Sequence, residues 1–563
     1  MMNMKLLIGL LALGMLGNTG GGVCDMIQGA AESQAQTVLN GACGTHLLWN
    51  FEQESGLLKI TGTGEMSFGG EKDAPWSGLN RRIRSVSLPD ALTGICTNAF
   101  ADITALESVS VPDGVTEIGD CAFYGCTKLA QITVPESVVR AGSEILGETA
   151  WFTAQPDGIV YLGKLALGWH GEMPAGTEAE IRQGTAVLAS GLFFAAENLI
   201  SCTLPEGIAE IPEDCFSLCS NLKQLSLPDS VRRVACDFRK TALPADADGV
   251  CYAGKWAVRC DNPKGEIVLR PDTKGIAAYA FSYTPDIISV EMPDGMLYVG
   301  DLAFTACGAE VLRFPDSVQE MGAGVCYSSE KLREVRLPDS LTALKDIPLP
   351  KESGSLTCGL GFFRGCVSLQ KVILPAGLTE IGESAFFHCE SLCEIEIPAG
   401  VRSVGHSAFC WCKKLRRVTI LHPDCEIYDG ATTICDAVSL TNPNYYIFTG
   451  TVCGYAGSPA ERFAEKYGMA FEPLPAEDAV LRGDVSGDGA VGAEDAQLCL
   501  QAYCRVLTNL PHGLNTAQFL AADADSSGTL TVEDAAYILR YYTVKTLASR
   551  PVTWAEILNP SGA

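Results

Sequence analysis

The sequence predicts an α/β repeat solenoid followed by a small all-α module. Three observations carry that prediction. Prolines recur in steps of 23 residues, at Pro89, Pro112 and Pro135, Pro205 and Pro228, Pro315 and Pro338, and Pro375 and Pro398. The hydrophobic pattern L-x-x-L-x-L runs into many of them, as in "LAQITVP", "LKQLSLP", "LREVRLP", "LQKVILP" and "LCEIEIP". Near residue 471 the pattern stops, and two acidic, glycine-bearing stretches follow, each leading into a helical pattern. A chain of 563 residues is too long for one ordinary core, and a period in this range belongs to stacked arrays.

Composition bounds the partners. Hydrophobic residues make up 47% and charged residues 19%, as in globular proteins. The formal net charge of −27 repels nucleic acid and anionic membrane surfaces. The N-terminus reads "MMNMKLLIGLLALGMLGN", with Lys5 as its early positive charge. The apolar run Leu6 to Leu16 has signal-peptide length and is too short to span a bilayer. "QGAAES" offers a cleavage site near Ala31, so residues 1–31 are read as a secretory signal peptide. Lipidation at Cys24 is disfavoured, because the preceding "GGV" lacks Leu and a small residue where a lipobox needs them. No later segment reads as transmembrane.

The best repeat copy is "VPDGVTEIGDCAFYGCTKLAQITV". Its Val115, Ile118, Ala122, Phe123, Cys126, Leu129, Ile132 and Val134 form the inward set. Thr133, Ser226, Arg336, Ile373 and Glu396 face outward from a parallel sheet by the two-residue alternation of strands. Proline ends each strand because it cannot donate to the ladder. "IGDCAF" supplies a short helical or turn return. The pair F-x-x-C recurs at Phe216/Cys219, Phe304/Cys307, Phe363/Cys366, Phe386/Cys389 and Phe409/Cys412. Cysteine at a repeated core position acts as a small apolar residue, so most of the 24 cysteines are expected to be free, buried thiols, with a few bridges allowed.

These registers resemble the treponemal-type leucine-rich repeat of BspA-like surface proteins, over roughly residues 43–470. "CGTHLLWNFEQESGLLKITGTGEM", followed by "APW", resembles that family's N-terminal β cap (43–84). The solenoid then occupies 85–440, and "GYAGSPAERFAEKYGMAFEPL" resembles the closing helical cap (441–471). Two hairpin insertions, near 150–180 and 245–270, carry "DGIVYLGK" and "DGVCYAGK", which lie 91 residues apart. They read as spacers in the array.

The solenoid yields no catalytic constellation. None of His46, His170, His388, His406, His422 and His512 forms HExxH, and no G-x-S-x-G appears. His388 with Cys389 and Cys393, and Cys410 with Cys412, fall on the core cysteine position without zinc-ribbon spacing. Glycoside hydrolysis by paired carboxylates is the alternative reading; most carboxylates, however, lie in turns such as "PDG", "PES" and "PEG". The resemblance implies instead a non-catalytic adhesion or recognition surface for a protein or glycan.

Beyond a short linker (472–480) come "DVSGDGAVGAED" and "DADSSGTLTVED", starting 39 residues apart. A calcium loop of EF-hand type takes oxygens from positions 1, 3, 5, 7, 9 and 12 around a glycine at position 6. The first stretch places Asp484, Ser486, Asp488, Ala490, Gly492 and Asp495 at those positions, with Gly489 at the sixth. The second places Asp523, Asp525, Ser527, Thr529, Thr531 and Asp534, with Gly528 at the sixth. Each gathers three carboxylates and no thiol or imidazole, which suits two Ca2+ ions. Val491 and Leu530, at position 8, can pair between the loops. Position 12 is Asp rather than Glu, and no amphipathic helix precedes the first loop. A helix follows each, over "AQLCLQAYCRVL" and "AAYILRYYTVKTL".

Two such loop–helix units resemble a type I dockerin, over about residues 481–557. The resemblance implies calcium-dependent docking onto a cohesin module of a scaffoldin, and hence an extracellular place on a cell surface or cellulosome-like complex that breaks down polysaccharide. Carried across by loop position, the partner-facing residues are Ala493, Glu494, Leu500, Gln501 and Arg505 in the first unit. In the second they are Val532, Glu533, Leu539, Arg540 and Val544. Leu500 and Leu539 have a second reading, as residues packed within the module.

Overall fold

The computed structural model describes residues 39–68, 73–347, 359–438, 446–474, 481–508, 510, 512–514, 516–547 and 552–558. The expected signal peptide with Cys24, and residues 475–480 of the expected linker, lie outside the described residues.

The proline-terminated strands stack in parallel. Ser108, Val109 and Ser110 lie opposite Gln131, Ile132 and Thr133, a step of one repeat. The central residue of each of these strands is buried and its neighbours are exposed. Further along, five such strands join from Gly265–Val268 to Lys371–Ile373, and four more run from Glu394–Ile397 to Ala470–Pro473. Short strands such as Glu117–Ile118 and Arg140–Ala141 form a second set of parallel sheets. Of the expected outward residues, Thr133 and Ser226 are exposed, while Arg336, Ile373 and Glu396 are half-buried.

The returns are turns, so the class is a β solenoid rather than an α/β repeat. The physical reason is where their amides go. Asn98, Phe100 and Asp102 donate N–H to the carbonyls of Asp120, Ala122 and Tyr124 in the next repeat, at 2.7–2.9 Å. Cys121, Phe123 and Gly125 do the same to Ser143, Ile145 and Gly147. Left-handed φ angles at Asn98 (59°), Asp102 (60°) and Cys121 (53°) break any right-handed helix at these points.

The phenylalanines form a stack through the core. Trp76, Phe100 and Phe123 follow at 5.7 and 5.3 Å, and Phe363, Phe386 and Phe409 at 5.3 and 5.2 Å. The repeated cysteine lies beside them for a chemical reason. Its thiol donates to the carbonyl of the preceding repeat's phenylalanine: Cys126 to Phe100 (3.1 Å), Cys219 to Phe193 (2.9 Å), Cys389 to Phe363 (3.2 Å) and Cys412 to Phe386 (3.1 Å). Ser329 occupies the same position in one repeat, its hydroxyl 2.6 Å from the Phe304 carbonyl. Every cysteine among the described residues is a free thiol. Burial pushes those of Cys126 and Cys219 up to about 12, which keeps them unreactive.

Both insertions are antiparallel hairpins, Gly158–Leu162 with Leu165–His170 and Val250–Ala253 with Trp256–Cys260. They loop out of the array, and ion pairs close over them: Arg140 meets Glu210 at 3.5 Å across the first, and Arg233 meets Glu320 at 3.7 Å across the second. The helix Pro459–Lys466 closes the solenoid, buries Ala460, Phe463 and Ala464, and is capped by the Ser458 hydroxyl. At the other end, Asn40–Ala42, Leu47–Glu52 and Leu57–Gly62 form an antiparallel cap whose edge pairs with Ser85–Ser87. No helix among the described residues is long and apolar enough to cross a membrane.

Candidate calcium-binding and docking module

The two acidic stretches fold as two copies of one loop. In the first, the Asp484 carboxylate accepts the backbone N–H groups of Gly487 (2.8 Å), Asp488 (3.1 Å) and Gly489 (2.8 Å). Asp495, at the loop's end, accepts those of Ser486 (2.8 Å) and Gly492 (2.6 Å). In the second, Asp523 accepts from Ser527 (2.9 Å) and Gly528 (2.7 Å), and Asp534 from Ala524 (2.8 Å) and Thr531 (2.8 Å). Positions 4 and 6 are left-handed in both copies: Gly487 (79°) and Gly489 (88°), Ser526 (60°) and Gly528 (82°). That is why position 6 needs glycine. Positions 1 and 12 thus organise the backbone, and the rest of the loop curls around them. Position 12 lies in the first turn of the following helix, Ala493–Leu507 or Val532–Leu547, where an aspartate suits the helix dipole.

The copies differ in how tightly the carboxylates converge. Asp523, Asp525 and Asp534 each offer an oxygen within 4.8 Å of the others, the one such group of acidic, His or Cys side chains among the described residues. Burial, and then the Asp534 charge, push the Asp523 carboxyl up to about 7, and burial raises Asp534 as well. Carboxyls held so close resist ionising together, and a cation between them offsets the repulsion. The donors are oxygens throughout, with Ser527 and Thr529 beside the three carboxylates. That set fits a hard divalent ion of calcium's preference. His388, Cys389 and Cys393, and Cys410 with Cys412, form no such group: the Cys389 and Cys412 thiols are spent on backbone carbonyls.

Three features of the module lie beyond what the loop and helix patterns indicate. A further helix, Thr516–Ala522, enters the second loop, and another, Trp554–Leu558, follows the second long helix. Val491 and Leu530 are buried in one core without a β-bridge between them among the described residues. That core is shared with the solenoid: Leu421, Cys453 and Leu474 pack with Val485, Cys499, Phe519 and Ile538. Glu396 consequently lies under the module. His512 Nε2 stands 4.0 Å from its carboxylate, and burial and neighbouring Glu394 push that carboxyl up to about 7.

All ten expected partner-facing residues are exposed: Ala493, Glu494, Leu500, Gln501, Arg505, Val532, Glu533, Leu539, Arg540 and Val544. Leu500 (41%), Val532 (47%), Leu539 (47%) and Val544 (36%) are large apolar side chains left in solvent. The reading of Leu500 and Leu539 as internal packing residues is therefore overturned. Helix phase explains it, since Cys499 and Ile538, one position earlier, take the inward places.

No curated protein matches the chain. Among solved structures it is similar to a leucine-rich repeat protein of Eubacterium ventriosum, at 21% identity over 64% of this chain and 91% of that one, TM-score 0.25. It is also similar to a leucine-rich repeat protein of Bacteroides ovatus, at 20% over 76% and 98%, TM-score 0.27. A third is a leucine-rich cell surface protein of Faecalibacterium prausnitzii, at 22% over 71% and 98%, TM-score 0.27. The model of the BspA-type leucine-rich repeat region matches six copies, over residues 79–150, 177–238, 274–349 and 343–448, more than half of the sequence. With these repeats stacked through the solenoid, the chain belongs to the BspA-type leucine-rich-repeat family.

Proposed function

We propose that this is a secreted, non-catalytic binding protein with two arms. Its C-terminal module is a dockerin that holds two calcium ions and docks onto a cohesin of a scaffoldin. Its solenoid recognises a protein or glycan. The observation that carries the docking arm is the duplication of loop geometry beside an exposed apolar face. The same aspartates, at positions 1 and 12, gather the same backbone amides in each copy. The residues after them on each helix leave Leu500, Leu539 and Val544 to solvent. Uncovered apolar groups on a small acidic module mark a surface meant for a partner. Calcium couples folding to docking, because it offsets carboxylates that otherwise repel. The signal-like N-terminus supports export.

Calorimetric titration of the full chain with calcium tests this reading. Two binding events are expected, with Asp484→Ala removing one and Asp523→Ala the other. Heats indistinguishable from dilution would refute it.

A further inference from the structure

The two hairpin insertions are copies of one another, and a cleft lies beside the first. In the first, Ile159 pairs with Trp169 and Val160 with Gly168. In the second, Val250 pairs with Cys260 and Cys251 with Arg259, and the register breaks at the same point. Tyr161 and Tyr252 occupy matching places, each accepting a backbone N–H, from Arg182 (3.0 Å) and Arg270 (3.1 Å). The segments before the hairpins match too, since Trp151 and Ala242 donate to Leu129 and Leu222 of their repeats. Gly168 therefore stands where the second hairpin has Arg259.

Arg259 fills its own space. The residue is 7% exposed. The guanidinium donates to the Thr241 carbonyl, to that of Leu243 at 2.8 Å, and to the Asp261 carboxylate at 2.6 and 2.7 Å. In the first hairpin Gly168 instead lines a cleft of about 590 Å3, within the size range of ligand sites. Gly168 is not demanded by the backbone. Its φ is not left-handed, and a Cβ there would meet Phe152 at an ordinary 3.7 Å. Residue 168 thus adds no side chain to the cleft, and the ring of Phe152 lies against it.

Its walls say what it takes. Phe152, Trp169 and Phe194 give aromatic surface, and Glu144 and Glu197 give carboxylates; among the described residues no Lys or Arg lines it. Burial and neighbouring Glu148 raise the Glu144 carboxyl. The same hairpins already stack arginines on rings, Arg182 over Tyr161 at 4.3 Å and Arg270 over Tyr252 at 3.8 Å. We propose that this cleft is a socket for an arginine side chain of a partner polypeptide, the kind of side chain that the second hairpin supplies from within at Arg259. The proposal rests on the solenoid being a recognition arm, and names its partner as a protein with an accessible arginine.

The test is a ligand-observed NMR titration of the full chain with a terminally blocked Gly-Arg-Gly peptide and its citrulline counterpart. The arginine peptide should bind about tenfold tighter or more, because the citrulline lacks the charge for both the carboxylates and the rings. Gly168→Arg should abolish binding by filling the socket from within, and Glu144→Gln should weaken it about threefold or more at an unchanged melting temperature. Equal binding of the two peptides overturns the socket, as does undiminished binding by folded Gly168→Arg. If Gly168→Arg fails to fold, unchanged affinity in Glu144→Gln overturns it. Capture of a protein or glycan by the solenoid that is indifferent to these variants would sink the socket while leaving the recognition arm standing.

Discussion

With calcium stripped, stability should fall as pH rises from about 5 to about 8. The perturbation is a chelator, with melting followed at about pH 5 and about pH 8. Asp523 is 6% exposed and its carboxyl is pushed up to about 7 in the folded, metal-free loop, first by burial and then by the Asp534 charge. In the unfolded chain an aspartate titrates near its ordinary value of about 4. The folded pKa is the higher one, so the folded state holds the proton more tightly. Its contribution is complete below about pH 4 and is lost as pH rises through about 7. A gap of about 3 units corresponds to a ceiling of about 4 kcal/mol. The metal-free module should thus melt higher at pH 5 than at pH 8. Calcium, which replaces the proton, should add about 2.7 kcal/mol at a hundredfold excess over its dissociation constant, and most at the higher pH. Differential scanning calorimetry reads both effects, and Asp523→Asn should flatten the metal-free profile. A chelated protein that melts higher at pH 8 than at pH 5, with Asp523→Asn indistinguishable from it, would refute the reasoning.

Other consequences concern the solenoid. Phe386→Ala removes a fully buried ring stacked on both sides and should cost about 3–5 kcal/mol in urea unfolding. Cys366→Ser should stay within about 1 kcal/mol of the parent, since Ser329 already serves the same position, whereas Cys366→Val should cost about 1–3 kcal/mol through crowding and a lost donor. Arg259→Gly strands Asp261 and buried carbonyls and should cost about 3–5 kcal/mol, read as a lowered melting temperature.

The periodicity of the sequence carries the stack almost completely. Proline, phenylalanine and cysteine at fixed offsets identify the strand ends, the core ring and the thiol that meets its carbonyl, because each position has one physical task per repeat. The nature of the returns was not legible. Whether "IGDCAF" coils or turns depends on where Asn98, Phe100 and Asp102 send their amides, and they send them to another repeat. The duplicated loop was legible because spacing sets which aspartates, at positions 1 and 12, gather the loop amides. The burial of Glu396 was not, since it depends on the module settling over a strand more than eighty residues earlier. The cleft beside Gly168 shows a third case. The offset of 91 residues aligns Gly168 with Arg259 in the bare sequence. Only the structure shows that Gly168 lines a cleft while Arg259 is packed against buried carbonyls.

The most direct measurement is binding of the full chain to a panel of immobilised cohesins of each type, in calcium and in chelator, beside the Asp484→Ala, Asp523→Ala double variant. The account predicts that a cohesin captures the calcium-loaded chain, releases it on chelation and does not capture the double variant. Capture that survives both chelation and the double substitution would contradict it, as would a calcium-loaded chain that no cohesin of the panel retains.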